Sequence, residues 1–312
     1  MSRIGTSDLN VFPLALGGNV FGWTADKATS FAVLDAYTAA GGNFVDSADS
    51  YSVWIPGHVG GESETIVGEW MKARGNRDKI IVATKVGQLP SVKGTSRASV
   101  RQAVEDSLRR LQVETIDLYY AHVDDQETPL EETAEVFGEI VREGKVRYIA
   151  ASNFTADRLQ EALDVQKKLG VAEYVALQPH YNLVERGLYE GALRDVVAAN
   201  GLSTIPYFGL ARGFLTGKYR VDGPAVDSPK AGGAMQYLND KGTKVLAALD
   251  EVAANHGVAV ATVSLAWLAA QPTIAAPIAS ASKPEQVADL VASASLTLTP
   301  AELDLLNTAS AI

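Results

Sequence analysis

Residues 43–51, NFVDSADSY, end an apolar run with two carboxylates and a phenol, Asp46, Asp49 and Tyr51. A lysine, Lys85, closes the apolar run KIIVATK, and His122 follows TIDLYYA. Singly, each has an ordinary explanation: an Asp after a strand caps a turn, a Lys reaches back to solvent, a His or Tyr packs. Together, Asp46, Tyr51, Lys85 and His122 make a proton-delivery set. A phenol ionises near ~10 and is a poor acid at neutral pH. A neighbouring ammonium lowers that value, and a carboxylate keeps the ammonium charged and oriented. An imidazole beside them can fix a substrate oxygen. The combination suits giving a proton to a carbonyl oxygen as negative charge develops on it.

Such a set acts only if the fold gathers it in one place. Short apolar, β-branched runs recur along the chain, and strands are expected at 11–16, 43–46, 79–85, 115–121, 146–152, 174–178, 203–208 and 274–279. Helical spacing separates them. The clearest helix is expected over 97–111, with Val100, Val104, Leu108 and Leu111 on one face and Ser96 or Thr95 as its cap. Strands alternating with helices imply a parallel sheet covered by helices. Eight such units in 312 residues favour one closed (β/α)8 TIM barrel over 1–312 rather than a doubly wound sheet. No G-x-G-x-x-G follows the first run, which counts against the open dinucleotide-binding sheet.

In a barrel of this type the active site lies at the C-terminal strand ends. Asp46, Lys85 and His122 fall there, with Tyr51 just beyond the second strand. Ser152, Asn153, Gln178 and Tyr207 end later strands. The hydroxyl and amides of Ser152, Asn153 and Gln178 suit a carboxamide, as on a nicotinamide ring. Residues 209–240, rich in Gly, Pro and Lys, form a long irregular interval expected to close over a ligand.

Composition narrows the classes. The chain is 47% hydrophobic and 21% charged, as in an ordinary globular protein. Its net charge of −10, with no concentrated basic face, argues against nucleic acid or an anionic membrane as partner. Without cysteine there is no disulfide, thiol catalysis or cysteine metal site. The histidines at 58, 122, 180 and 256 lack a paired metal-ligand spacing, so no metal is expected. No signal pattern or membrane-length apolar run is present, and a cytoplasmic setting is expected.

The chain resembles the aldo-keto reductases over nearly its whole length. FVDSADSY is similar to the D-x-A-x-x-Y segment of that family, and SVRQAVEDSLRRLQVETIDLYYAH to its long signature of helix, S-L-x-R-L, I-D-L-Y and His. GKVRYIAASNF, LQPHYNLVER and IASASKPEQV resemble its fifth strand, sixth strand and cofactor-clamping segment. The resemblance implies a catalytic tetrad of Asp46, Tyr51, Lys85 and His122. Tyr51 would be the general acid in carbonyl reduction and the base in alcohol oxidation. Lys85, paired with Asp46, would lower its pKa, and His122 would orient the carbonyl.

The resemblance also implies a nicotinamide cofactor across the barrel mouth. Ser152, Asn153 and Gln178 would hold its carboxamide, Tyr207 would stack on the ring, and Gly18, Asn19 and Asp46 would lie close to it. Phe208, Leu210, Ala211 and Lys218 would follow the pyrophosphate, and Ser282, Lys283 and Gln286 the adenosine end. NADP(H) is favoured through Lys283, with NAD(H) as the alternative. Phe21, Trp23 and Trp54 would form an aromatic wall for a small carbonyl or alcohol substrate. The chain departs from the pattern at several points. Tyr207-Phe208-Gly209-Leu210-Ala211 replaces Y-S-P-L-G, Ser280 replaces a glycine, Gln286 stands where some members have arginine, and Ser52 follows Tyr51 in place of the usual Gly.

Two alternatives accompany this expectation. One is a cofactor-sensing module with slow or no turnover. The other is a Schiff-base lyase using Lys85 as nucleophile, which a paired carboxylate opposes by raising the lysine pKa. The sequence fixes neither the substrate nor the oligomeric state.

Overall fold

A computed structural model describes residues 1–312. Eight parallel strands form its central sheet: β1 Ala15–Gly17, β2 Phe44–Asp46, β3 Ile81–Val86, β4 Ile116–Ala121, β5 Val146–Ser152, β6 Tyr174–Gln178, β7 Ser203–Thr204 and β8 Ile278–Ala279. Neighbours pair in chain order, and β8 pairs with β1. The ring closes through Ala275 N to Thr204 O (2.9 Å) and Ile278 N to Pro206 O (2.9 Å). The fold is a (β/α)8 barrel.

Helices α1 Lys27–Ala39, α2 Glu62–Arg74, α3 Arg97–Leu111, α4 Leu130–Arg142, α5 Ala156–Leu169 and α6 Ala192–Ala199 connect the first seven strands. Helices Asp240–His256 and Val260–Ala269 precede β8, and Pro300–Ala309 ends the chain. An antiparallel pair, Ser2–Arg3 with Asn10–Val11, precedes the barrel. No single helix is long and apolar enough to cross a membrane.

The helix expected at 97–111 and the strands at 146–152 and 174–178 occur with those bounds. Ser96 caps α3, its side chain accepting from Ser99 N–H. The expected strands at 43–46, 79–85 and 115–121 shift or shorten by a residue or two, while the three that shorten most each contain a proline: Pro13, Pro206 and Pro277. A proline has no N–H for the ladder, so pairing there is broken or irregular.

The pleat positions the site. Strand side chains alternate, so every second residue shares a face. Phe44, Ala83, Leu118, Ala150, Ala176 and Ile205 belong to one apolar cluster with Ile4, Leu9 and Val11 from the N-terminal hairpin. Two residues further along each strand, the same rows reach Asp46, Lys85, Tyr120, Ser152, Gln178 and Tyr207. The inward rows therefore turn from apolar to polar at the C-terminal rim. A larger cluster, including Val33, Val67, Trp70, Val104, Phe137 and Leu163, packs helices against strands.

Helix α2 meets α3 at Gly68, where an added Cβ would lie 2.4 Å from Arg110 O and 2.6 Å from Leu111 O. Both contacts are backbone and cannot swing aside. Gly68→Ala should therefore cost ~1–3 kcal/mol, read as a lower midpoint in urea unfolding. An unchanged midpoint would show that α2 and α3 separate freely.

Candidate active site

The four residues of the proton-delivery set converge. Lys85 Nζ donates to Asp46 Oδ2 at 2.7 Å, to Ser47 O at 2.6 Å and to Tyr51 Oη at 2.9 Å. Asp46 and Lys85 are both fully buried. All three donors of an ammonium are engaged, so no nitrogen lone pair is offered to a carbonyl, which weighs against Lys85 as a nucleophile. Asp46 also accepts from Gln178 Nε2 at 2.9 Å through Oδ1 and from Tyr51 Oη at 3.3 Å through Oδ2. The rings of Tyr51 and His122 lie 6.2 Å apart, centroid to centroid.

The electrostatics differ from the simple expectation of a phenol made acidic by lysine. Burial, and then the charge of Asp46, push the Tyr51 phenol well above its ordinary range. Burial also pulls Lys85 down, and Asp46 only partly offsets it. His122 is held well below the usual histidine range, chiefly by burial and also by the Lys85 charge. A neutral imidazole results, with one N–H to give to a substrate oxygen.

The loop joining β2 to α2 holds Tyr51 over Lys85. Ser52, where the resembling pattern has glycine, adopts φ 71° and ties its hydroxyl to Phe21 O at 3.1 Å. That bond offsets part of the cost of a left-handed serine.

These groups open into a cleft of about 1070 Å³ lined by 35 residues. Ser152, Asn153, Gln178 and Tyr207 line one side. Asn153, at φ 60°, donates to His122 O (2.9 Å) and Ser152 Oγ (3.1 Å) and accepts from Tyr207 Oη (2.8 Å). Its left-handed backbone holds the amide between two strand ends. His180 stacks on Tyr207 with centroids 5.3 Å apart.

Asn19, Phe208, Leu210, Lys218, Ser282, Lys283 and Gln286 also line the cleft. Gln286 Oε1 accepts from Ser282 N at 2.9 Å and Lys283 N at 3.3 Å, so it shapes that turn. Ser280 donates to Asn19 Oδ1 at 2.7 Å. Trp23 and Trp54 form an edge-to-face pair at 5.6 Å beside Tyr51.

Five expected residues lie outside the cleft lining: Asp46 and Lys85, fully buried beside Tyr51, and Phe21, Gly18 and Ala211. Phe21 is fully buried and does not join the aromatic wall. Gly18 is spent on packing: its N–H donates to Asp46 O at 2.7 Å, and a Cβ would lie 2.7 Å from Ser63 Oγ. Ala211 is fully buried at φ 46°.

Gln88, Arg212 and Lys230 line the cleft without having been expected there. The basic character of the long loop was the signal for Arg212 and Lys230. Gln88 had only its place after β3. Arg212, Lys218, Lys230 and Lys283 share the cleft, and none has a carboxylate partner within ion-pair distance. Three of them rest on rings instead: Arg212 on Phe208 (4.5 Å), Lys218 on Tyr219 (5.2 Å) and Lys230 on Trp23 (5.5 Å). Unpaired cations in a concave site favour an anionic occupant.

Comparison with known proteins agrees with this geometry. The sequence matches the aldo/keto reductase family over residues 13–311. The chain belongs to that family. The aldo-keto reductase YhdN of Bacillus subtilis (strain 168) is 34% identical over 291 residues, 88% of this chain and 80% of that protein. A probable voltage-gated potassium channel subunit beta of Oryza sativa subsp. japonica is 32% identical, covering 92% and 88% of the two chains. The aryl-alcohol dehydrogenase [NADP(+)] of Phanerodontia chrysosporium is 30% identical, covering 96% and 82%. As an aldo/keto reductase the chain is an oxidoreductase acting on small carbonyl compounds with a nicotinamide cofactor.

Burial and the neighbouring Lys218 charge lower Lys230 to about 8. Its charge is present below that pH and lost above it. A nicotinamide cofactor, with its anionic pyrophosphate, should therefore bind more weakly near pH 9 than near pH 7, and Lys230→Met should flatten that dependence in calorimetric titrations. Equal slopes in the two proteins would remove Lys230 from the anion site.

Proposed function

We propose that this protein is an NADP(H)-dependent reductase and alcohol dehydrogenase with Tyr51 as its general acid and base. The observation that carries this reading is the Lys85 ammonium, held between the Asp46 carboxylate and the Tyr51 hydroxyl at the cleft floor. When bound, the nicotinamide supplies or accepts the hydride at the carbonyl carbon. Tyr51 gives its proton to the carbonyl oxygen, and an alcohol leaves. A phenol raised by burial is a weak acid, but an oxygen gaining negative charge is a strong base. Lys85 stabilises the phenolate left behind, and solvent restores its proton. In alcohol oxidation the same phenolate takes the hydroxyl proton.

His122, neutral, would hold the carbonyl oxygen beside Tyr51. Ser152, Asn153 and Gln178 would hold the carboxamide, with Tyr207 stacked on the ring. Arg212, Lys218 and Lys230 would meet the pyrophosphate. Lys283, with Ser282, supports a preference for the 2′-phosphate of NADP(H), although no arginine stands at position 286. Trp23 and Trp54 favour apolar or ring-bearing aldehydes, ketones or sugar-like alcohols. The likeness to a potassium channel subunit beta keeps a slow, cofactor-sensing role as the second reading.

NADPH oxidation with a generic aromatic aldehyde separates the two. Tyr51→Phe should lower kcat by ~10²-fold or more while NADPH affinity stays nearly unchanged. Joint loss of turnover and binding would contradict that division of roles. Fast binding without turnover in the wild type would favour the sensor. Lys283→Ala should weaken NADPH more than NADH in the same titrations, and an equal loss would place the 2′-phosphate elsewhere.

A further inference from the structure

On the helix side of the barrel wall, between β3, β4 and helices α2 and α3, lies a second buried set that the proton transfer does not use. Asp49, three residues after Asp46, is fully buried, and its N–H points to Lys85 O at 3.3 Å. Neither of its carboxyl oxygens has a hydrogen-bond partner. Glu64 of α2, also fully buried, is satisfied: it accepts from Thr84 Oγ1 at 2.6 Å and from Arg110 Nε of α3 at 2.6 Å. Tyr119 of β4 adds a buried hydroxyl without a partner.

A buried carboxylate anion without a protein donor on either oxygen is among the costliest groups a fold can hold. The local charge count points the same way. Asp46 and Glu64 balance Lys85 and Arg110, and an ionised Asp49 would leave this buried region with one excess negative charge.

We propose that Asp49 is held as an uncharged carboxylic acid behind the reaction centre, on the helix side of the sheet, and that its neutrality lets Tyr51 lose its proton: Asp49 is a positioning residue of the reaction. This rests on the assignment of Tyr51 as proton donor. The phenolate formed at Tyr51 sits on Lys85, so any further negative charge near Lys85 opposes it. The groups facing Asp49 are Glu64 from α2, Lys85 from β3, Arg110 from α3 and Tyr119 from β4. Burial first, and then Glu64, raise Asp49 to about 8, while Arg110, the Ser50 amide and Lys85 oppose this without reversing it. The charge-free state therefore prevails at neutral pH and is lost as the pH rises through that value.

Asp49→Asn keeps the shape and fixes the neutral state, and two readouts test it. The first is urea unfolding against pH. The folded-state value lies above the unfolded one, so wild-type folding is favoured by low pH and loses stability as the pH rises from about 4 to about 8. The Asn variant lacks that loss. Its midpoint should exceed that of the wild type near pH 8, and the gap should shrink towards pH 5. The second is the ratio of carbonyl-reduction kcat at pH 9 to that at pH 7. It should be at least about fivefold higher in the variant, because the added charge no longer opposes the phenolate.

A gap that does not change with pH, or a variant that cannot fold, would overturn the neutral acid. The expected gap with superimposable activity profiles would make Asp49 structural and overturn the positioning role. A wild type without turnover, with the gap intact, would sink the Tyr51 assignment and the positioning role with it, leaving the neutral acid standing.

Discussion

A lysine ammonium without any exposed surface constrains the rest of this protein. Removing such a charge from water is costly unless every proton finds an acceptor. Lys85 finds three: a carboxylate, a main-chain carbonyl and a phenol. The acceptors come from β2 and the loop after it, and the lysine from β3, so correct pairing of these two strands is a condition of satisfying the charge. Register matters equally. A shift by one residue would turn Lys85 out of the barrel and bring Thr84 or Val86 in, neither of which carries a charge. The site and the sheet thus stabilise each other, and the chemistry sits where the fold is least free to move.

Around that centre the cleft combines aromatic rings and cations. Trp23 and Trp54 lie beside Tyr51. Lys230 rests on Trp23, and Arg212, Lys218 and Lys283 line the cleft as well; none of the four makes an ion pair, although Asp227 and Asp289 share the lining. The long segment after β7 holds Phe208, Ala211 and Arg212 all at positive φ although none is glycine. Backbone strain of that kind persists only where the surroundings enforce it, and it is common where main chain is shaped around a ligand.

Much of this was legible in the sequence because it depends on short-range rules. The period of α3, its Ser96 cap and the uninterrupted strands at 146–152 and 174–178 needed no tertiary knowledge. The polar residues at the strand ends followed from where a barrel of this type carries its active site. What escaped depended on the third dimension. Phe21 and Trp23 are two residues apart in one loop, yet only Trp23 reaches the cleft, and aromatic character does not distinguish them. Pro13, Pro206 and Pro277 interrupt runs whose apolar character reads as continuous. The direction of the Lys85 shift escaped as well, since residue type reveals a carboxylate partner but not the degree of burial that outweighs it. Asp49 was visible as a second acid beside Asp46, but its lack of partners could only be seen in space.

The proposed reaction requires one carbonyl group to meet the Tyr51 hydroxyl and the hydride-bearing carbon of the cofactor together. A crystal structure with NADP+ and an aromatic aldehyde or inhibitor bound examines this most directly. The carbonyl oxygen should lie within hydrogen-bond reach of Tyr51 and His122, with its carbon facing the nicotinamide at a near-attack separation of about 3–3.5 Å. A nicotinamide ring held away from Tyr51, or a carbonyl oxygen bound to neither Tyr51 nor His122, would contradict it.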